Sequence, residues 1–558
     1  MNRRTTLAKF FGRSQSDQSA AANTALSMVV SGLDPYTGPF GYEQAAHLLR
    51  RATFGPTYQQ IKDAVANGLD ATMQQLFADQ PMPAPPLNHY YTDDPNVPVG
   101  QTWVDAPYVQ GVQQIQTYRN QSLRAWTIGV LLQEGISIRE KLTLFWHNHY
   151  VTSDINDPKY IYKYITTLRE NALGNFRELT KMVNIDPSML RYLNGRDNSA
   201  VAPNENYARE LLELFTIGKG PIAGPGDYTN YTEDDVVQMA RVLTGWRDVG
   251  MFSNDPNLQP SAAFLPNRHD QGTKQLSYRF NNTVIPNLMD QEHAHLIDVI
   301  FSKDECARFI CRKLYRWFIY YVITPDAEAN VIQPMAQILL DNDYEIRPAL
   351  ETLLRSEHFF DMLSVGPMIK SPVDFTMSLF KTLEVDIPQA NLNQLYRHWW
   401  QIFRVPLPLM QQEYYALPSV AGWKAYYQEP VFYRDWISAA TLNVRMDFTT
   451  TMITAGYQVA GAVSQVDVLK VAAAIDMAED PNILIETLAK ILYPQPLTQG
   501  QLDFLKEVLI PGLPDFEWTV EYAEYLNNPT DPGAVAAVQS KLQSLLVTML
   551  SMPEFYLS

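Results

Sequence analysis

The sequence runs to 558 residues and 63.6 kDa, with 43 Lys+Arg against 60 Asp+Glu and a formal charge of −17. That length allows about three domains or one large body with insertions, and 46% hydrophobic with 18% charged residues excludes wholesale disorder. The acidic balance argues against nucleic acid as a partner, and two cysteines, Cys306 and Cys311, exclude a disulfide framework or a cysteine-only zinc site.

In chain order, Met1-Asn2-Arg3-Arg4 with Leu7-Ala8-Lys9-Phe10-Phe11 looks like the n-region of a twin-arginine export signal. An apolar h-region should follow, yet Gly12-Arg13-Ser14-Gln15-Ser16-Asp17-Gln18 comes next and only a weak Ala/Leu/Val run appears at Ala20–Leu33. A degenerate export signal and a floppy basic terminus both fit, and a periplasmic or exported location is preferred to a cytoplasmic one. Residues 1–40 are therefore set apart as an N-terminal extension, and 41–558 are expected to form a single helical body. No stretch is apolar and long enough for a membrane helix; Phe448–Val466 lacks charges but is rich in Thr, Gly, Gln and Ser.

A first helix carries Ala45, Ala46, Leu48 and Leu49. The Pro-rich segment at 80–107 reads as irregular chain draped over the surface. From Gln114 onward the pattern is helical. Ser137-Ile138-Arg139-Glu140 reads as a capping box, followed by an inward stripe of Ile138, Leu142, Phe145 and Trp146. Another helix starts at Asn204 and stops before Gly218, and the next begins at Thr232 with Asp235 in its first turn. Later helices are expected over Lys303–Val322, Ile369–Leu383, Val466–Met477, Thr498–Leu509 and Ala534–Met552. Strand-like alternation is confined to Ala263–Leu265 and Gln275–Phe280, which predict one hairpin around Gly272. The fold class is mainly α, a multi-helix body with at most short β-hairpins.

Five blocks then resemble one family in order. They are Ala45-Ala46-His47-Leu48-Leu49-Arg50-Arg51-Ala52-Thr53-Phe54-Gly55-Pro56, Glu140-Lys141-Leu142 through Phe145-Trp146-His147-Asn148-His149, and Asn204–Phe215. Tyr231–Val236 with Ala240-Arg241-Val242-Leu243-Thr244-Gly245-Trp246, and His269-Asp270-Gln271-Gly272-Thr273-Lys274, complete the set. Together they resemble the bacterial "domain of unknown function 1800" family. The resemblance implies an all-α bacterial protein, often exported, whose genes frequently sit beside those of a second secreted family of unknown function. It implies no reaction.

Candidate chemistry lies in three of these blocks. His147 and His149 share a face only if the chain is extended or the helix ends near His147; on a continuous helix they point about 200° apart. Glu210 and Glu213 lie on the polar side of the Asn204–Phe215 helix, where Arg209 can pair with Glu205 and Glu213 at i, i+4. That side reads either as a solvated face or as the wall of a site with Glu210 or Glu213 as catalytic base. His269-Asp270 precedes a glycine-containing turn, where loop residues can reach a cleft. Glu292 with His295 has the ExxH spacing but lacks a second copy, and is rejected as the primary site. No Walker loop, dinucleotide fingerprint or Gly-x-Ser-x-Gly elbow occurs.

Two functions follow. One is a metal-dependent cell-envelope hydrolase or oxidoreductase, with His147, His149, His269 and Asp270 on one divalent ion and Glu210 or Glu213 as base. The other is a non-catalytic interaction protein that binds a second secreted protein or a glycan, the latter through pairs such as Trp399-Trp400, Tyr414-Tyr415 and Tyr426-Tyr427.

Overall fold

The computed structural model describes residues 31–558, so the Arg3-Arg4 pair and the expected export signal lie outside the described residues. Helices make up most of the chain, and among the described residues the strands pair only as two-stranded antiparallel hairpins. No described helix is long and apolar enough to cross a membrane. The buried apolar cluster runs continuously from Ala45 near the start to Leu557 at the end.

The expected helices form with small boundary shifts: Asp304–Phe318, Pro372–Thr382, Gln499–Leu509 and Pro532–Ser551. The expected Val466–Met477 helix is shorter, Val468–Ala473, and it starts later because Asp467 caps it by accepting from Leu469 N and Lys470 N. A long helix, Gln113–Gln133, packs along Leu392–Arg404. A Cβ on Gly129 would meet the Trp399 ring at 2.7 Å, so this glycine sets how closely the two helices approach. The C-terminal helices gather around Pro532–Ser551, with Gln499–Leu509 and Asp515–Asn527 packed against it.

Four local expectations are corrected. The Pro-rich segment is irregular but not merely draped. Trp103 is fully buried, its indole N–H donates to Ser122 Oγ at 2.9 Å, and Asp94 pairs with Arg119 at 3.1 Å with both side chains out of water. Prolines supply few backbone donors, so side chains tie this segment down. The capping box at Ser137 does not form. Ser137 Oγ accepts from Arg139 N, while Glu140 is drawn away into a buried bidentate pair with Arg169 at 2.7 and 3.0 Å. Ile138, Leu142, Phe145 and Trp146 are all buried as the stripe predicts, but so is most of the rest of that helix.

The helix after Asn204 changes pitch. Glu205–Glu210 is α-helical and Leu211–Thr216 is a π-turn, closed by Thr216 Oγ1 donating to Leu211 O at 2.6 Å. The predicted hairpin around Gly272 is in fact two hairpins. Ser261–Phe264 pairs with Trp246–Val249, and Lys274–Gln275 pairs with Val284–Ile285. Each segment thus uses a partner that carries little alternation of its own.

Candidate functional site: a cavity walled by cations

The first helix, Tyr42–Ala52, ends in Arg50 and Arg51, a basic last turn that suits the negative end of the helix dipole. The chain then leaves through Thr53, Phe54 and Gly55. Gly55 has φ +104°, and a Cβ there would lie 2.7 Å from Ser378 Cα, so glycine is what lets this turn press on the Pro372–Thr382 helix. Lys141, from the Arg139–His149 helix, enters the same junction. It donates to Thr53 O at 3.3 Å, pairs with Asp374 Oδ1 and lies over the Phe54 ring. Asp374 sits in the first turn of Pro372–Thr382, and its second oxygen accepts from Ser371 Oγ at 3.0 Å.

Lys370 precedes that helix. Its backbone N–H donates to Tyr556 O, and Ile369 bridges Leu557, so the C-terminal segment runs antiparallel beside it. This pairing places the Lys370 ammonium over the Phe555 ring and 2.9 Å from Phe555 O. Behind Lys370, fully buried Arg445 donates to Lys370 O at 3.0 Å and stacks on Phe375; its Nε and Nη1 have no hydrogen-bond partner.

Two small adjoining chambers open at this junction and share Arg50, Asp374 and Ser558 in their walls. Lys370, Thr53, Phe54 and Phe555 line the first. Arg51, Lys141 and the aromatic rings of Trp317, Tyr426, Tyr433 and Trp436 line the second. Trp317 stacks on Tyr426 with ring centroids 4.3 Å apart. The indole N–H groups of Trp317 and Trp436 are buried without a hydrogen-bond partner among the described residues.

The charges do not balance. Among the described residues Arg50, Lys141, Lys370 and Arg445 gather around Asp374, the one side-chain carboxylate in the chamber walls, and Lys141 is paired with it. Burial lowers Arg50 and Arg445 to about 10 each. It lowers Lys370 to about 7, with Arg50, Arg445 and Lys141 adding to the fall and Asp374 opposing it. Carbonyl oxygens accept from Arg50 and Lys370 here, and removing cations from water without a carboxylate each costs free energy. A fold that does so holds them ready for a negative ligand.

The residues singled out in the sequence lie elsewhere. The helix continues to His149, so His147 and His149 point apart and their convergence on one ion is corrected. His147 Nε2 accepts from Tyr415 N at 3.1 Å, and its ring stacks on Tyr414; burial lowers its pKa to about 3. His149 Nε2 donates to Phe215 O at 3.0 Å while Nδ1 accepts from Lys313 at 3.1 Å, and burial followed by the Lys313 charge holds it neutral. His149 thus meets the end of the Asn204–Phe215 block through backbone and not through a carboxylate.

Glu213 accepts from Tyr231 OH at 2.5 Å and from Lys219 at 3.3 Å. Arg209 turns chiefly to Glu233, with bonds of 2.8 and 2.7 Å, its contacts to Glu205 and Glu213 being longer. Glu210 is half-buried, and burial followed by the nearby Glu213 charge raises its pKa. His269 Nδ1 lies 2.9 Å from Thr244 O, and its Nε2 is 3.3 Å from Glu292 Oε1. Asp270 is held by Arg241 at 2.7 and 3.1 Å, which lowers its pKa. Among the described residues no group of three or more His, Cys, Asp or Glu side chains is placed to hold a metal ion. Of the aromatic pairs, Trp399, Tyr414 and Tyr415 are buried packing.

Sequence reasoning passed over the cavity residues. Arg50, Arg51 and Lys141 stand inside two of the family-like blocks, so a signal was present; Lys370, Asp374 and Arg445 carry none that spacing reveals. Glu292, set aside as half of an ExxH pair, is fully buried and takes Lys274 on both oxygens at 2.9 and 2.7 Å.

Comparison with known proteins agrees with the ordered blocks. The family model described as "Protein of unknown function (DUF1800)" matches residues 47–557. No curated protein and no solved structure matches the chain. With nearly its whole length covered, and with the cavity walls drawn from both ends of that span, the chain belongs to the DUF1800 family of proteins of unknown function.

Proposed function

We propose that this protein binds a small organic anion in the two-chambered cavity, which makes it a binding protein before anything else. The observation that carries the reading is the charge imbalance among the described residues: Arg50, Lys141, Lys370 and Arg445 around Asp374. The unpartnered indole N–H groups of Trp317 and Trp436 support it, because they too call for an acceptor. The aromatic second chamber suits a ligand whose charged group is joined to a flat or apolar part. A metal-dependent reaction at His147, His149, His269 and Asp270 is left out of the proposal, since separate partners engage each of those residues. Export rests on the Arg3-Arg4 pair and the resemblance; replacing both arginines by lysine and fractionating cells tests it, and an unchanged distribution removes it.

Calorimetric titration with inorganic phosphate and with succinate tests the binding. Saturable uptake of one of them is expected, weakened about tenfold or more in Arg50→Gln, the scale of one charge-assisted hydrogen bond. A thermal melt of the variant checks that Arg50 bonds to Lys490 O and Ile491 O were not needed for folding. No saturable uptake of either anion by the wild type overturns the reading.

A further inference from the structure

An anion site needs charge, and the simplest one keeps every lysine protonated. Lys370 departs from that. It lines the first chamber, is buried to 7% exposure, and has the Phe555 carbonyl as its hydrogen-bond acceptor. Its other neighbours are an aromatic ring and cations: Phe555 beneath it, Arg445 bonded to its own carbonyl, and Arg50 in the shared wall. Lys141, by contrast, has taken Asp374 as its partner. The one nearby carboxylate is therefore committed to another lysine and to Ser371. A lysine in apolar surroundings beside other cations is the arrangement that frees an amine lone pair near neutral pH, and the lowering of Lys370 to about 7 agrees with it.

We propose that Lys370 is a nucleophilic amine that forms an imine with an aldehyde or ketone bearing a phosphate or carboxylate group, the anionic group being held by Arg50 and Lys141. The inference rests on the anion-binding reading and adds a covalent step to it. In that step the neutral ε-amine attacks the carbonyl carbon and a C–N bond forms. The two amine protons pass to the carbonyl oxygen, the C–O bond breaks, and water leaves. No electrons are gained or lost.

The geometry also says why a second lysine does not serve. Lys313 is likewise lowered to about 7 by burial and Arg316. Its ammonium, however, is bound to Leu214 O at 2.7 Å and to His149 Nδ1 at 3.1 Å, and it lines neither chamber.

Pyridoxal 5′-phosphate is a suitable probe, because it carries an aldehyde and a phosphate on one flat ring. The protein is treated with substoichiometric probe at pH 7, reduced with borohydride, digested and mapped by mass spectrometry. Labelling of Lys370 is expected to exceed that of the exposed lysines Lys62, Lys424 and Lys470 by about tenfold or more, given the larger neutral fraction of a lowered amine. Inorganic phosphate should protect it, and Lys370→Arg should lose the label. Mapping the wild-type chain needs no variant to fold. If phosphate binds by calorimetry yet the label falls on exposed lysines and spares Lys370, the imine inference is overturned and the anion site stands. If phosphate and succinate do not bind, both fall, whatever the labelling pattern.

Discussion

Two buried clusters of charge in this molecule are built on opposite plans. Around His269, Lys274 places its ammonium on both oxygens of Glu292, Glu292 also accepts from Leu288 N at 3.1 Å, and Arg241 takes both oxygens of Asp270. Each cation there has its anion, and Lys274 and Glu292 are wholly out of water. Around Asp374, by contrast, Arg50, Lys141, Lys370 and Arg445 share a single side-chain carboxylate among the described residues, and Arg445 keeps two nitrogens without partners there. Closed clusters hold a fold together; open ones hold a charge in reserve. The difference is what moves the candidate site away from the histidine blocks, which are chemically richer in type but whose residues are engaged by separate partners.

The sharpest way to break the comparison is to open the closed cluster. Glu292→Gln removes the anion from a fully buried ammonium, and breaking such a pair costs about 3–5 kcal/mol. Chemical denaturation should show a loss of that size. A loss below about 1 kcal/mol, the range of exposed pairs, would mean that Lys274 reaches water and that the cluster is not closed.

The open cluster should respond to pH in its own way. Lys370 is lowered from 10.5 to about 7. Below about pH 7 both folded and unfolded chains carry its proton, so its charge burdens the folded state by a constant amount. Above that, the unfolded chain still binds the proton and the folded chain does not, so stability rises with pH until the unfolded lysine titrates near 10.5. The groups facing it are Arg50, Asp374, Arg445 and Lys141. Glu134, raised to about 8 chiefly by burial and then by Glu140, pulls the other way at lower pH. The clean measurement is therefore wild type against Lys370→Met between about pH 8 and 9, where the wild type should gain on the variant as pH rises. A difference that stays flat over that window would show that Lys370 is protonated in the fold.

At pH 7 the same variant should change stability by less than about 1 kcal/mol in either direction, because a methionine keeps the packing and removes a charge that has no carboxylate partner. Set against Glu292→Gln, this small effect at another buried position separates the two plans. A loss near 3 kcal/mol in Lys370→Met would place Lys370 among the structural cations and close the cavity as a site.

How far the sequence anticipated this depends on range. Helices set by local periodicity and caps were legible: Thr232 accepts from Asp235 N and Asp235 returns the bond to Thr232 N, as their spacing implies. What failed was decided by partners far along the chain. Glu140 fits a capping box locally, but Arg169 outbids the backbone for it. The hairpin near His269 was misassigned because the strands that pair with its halves are too short to alternate. The cavity unites residues from positions 50, 141, 370 and 445, and no spacing along a chain encodes that meeting. Histidines drew notice by chemical type, whereas exposure and pairing, which sequence does not print, decide which charged groups remain free to act.

The smallest expected effect concerns metal. Binding an ion requires lone pairs aimed at one point, about 2.0–2.2 Å from it for histidine and carboxylate ligands. His147 gives its Nε2 lone pair to Tyr415 N, His149 gives Nδ1 to Lys313, and Asp270 gives both oxygens to Arg241. A metal would have to displace these bonds and bring together residues that now sit in separate surroundings. Dialysis of untagged protein against a chelator should therefore leave the melting temperature unchanged, and elemental analysis should find no stoichiometric divalent ion. A melting temperature that falls on chelation and returns with zinc would reverse the argument. It would show that the balanced cluster around His269 and Glu292 is the apo form of a metal centre, and that the two charge plans are two functional sites rather than a frame and a site.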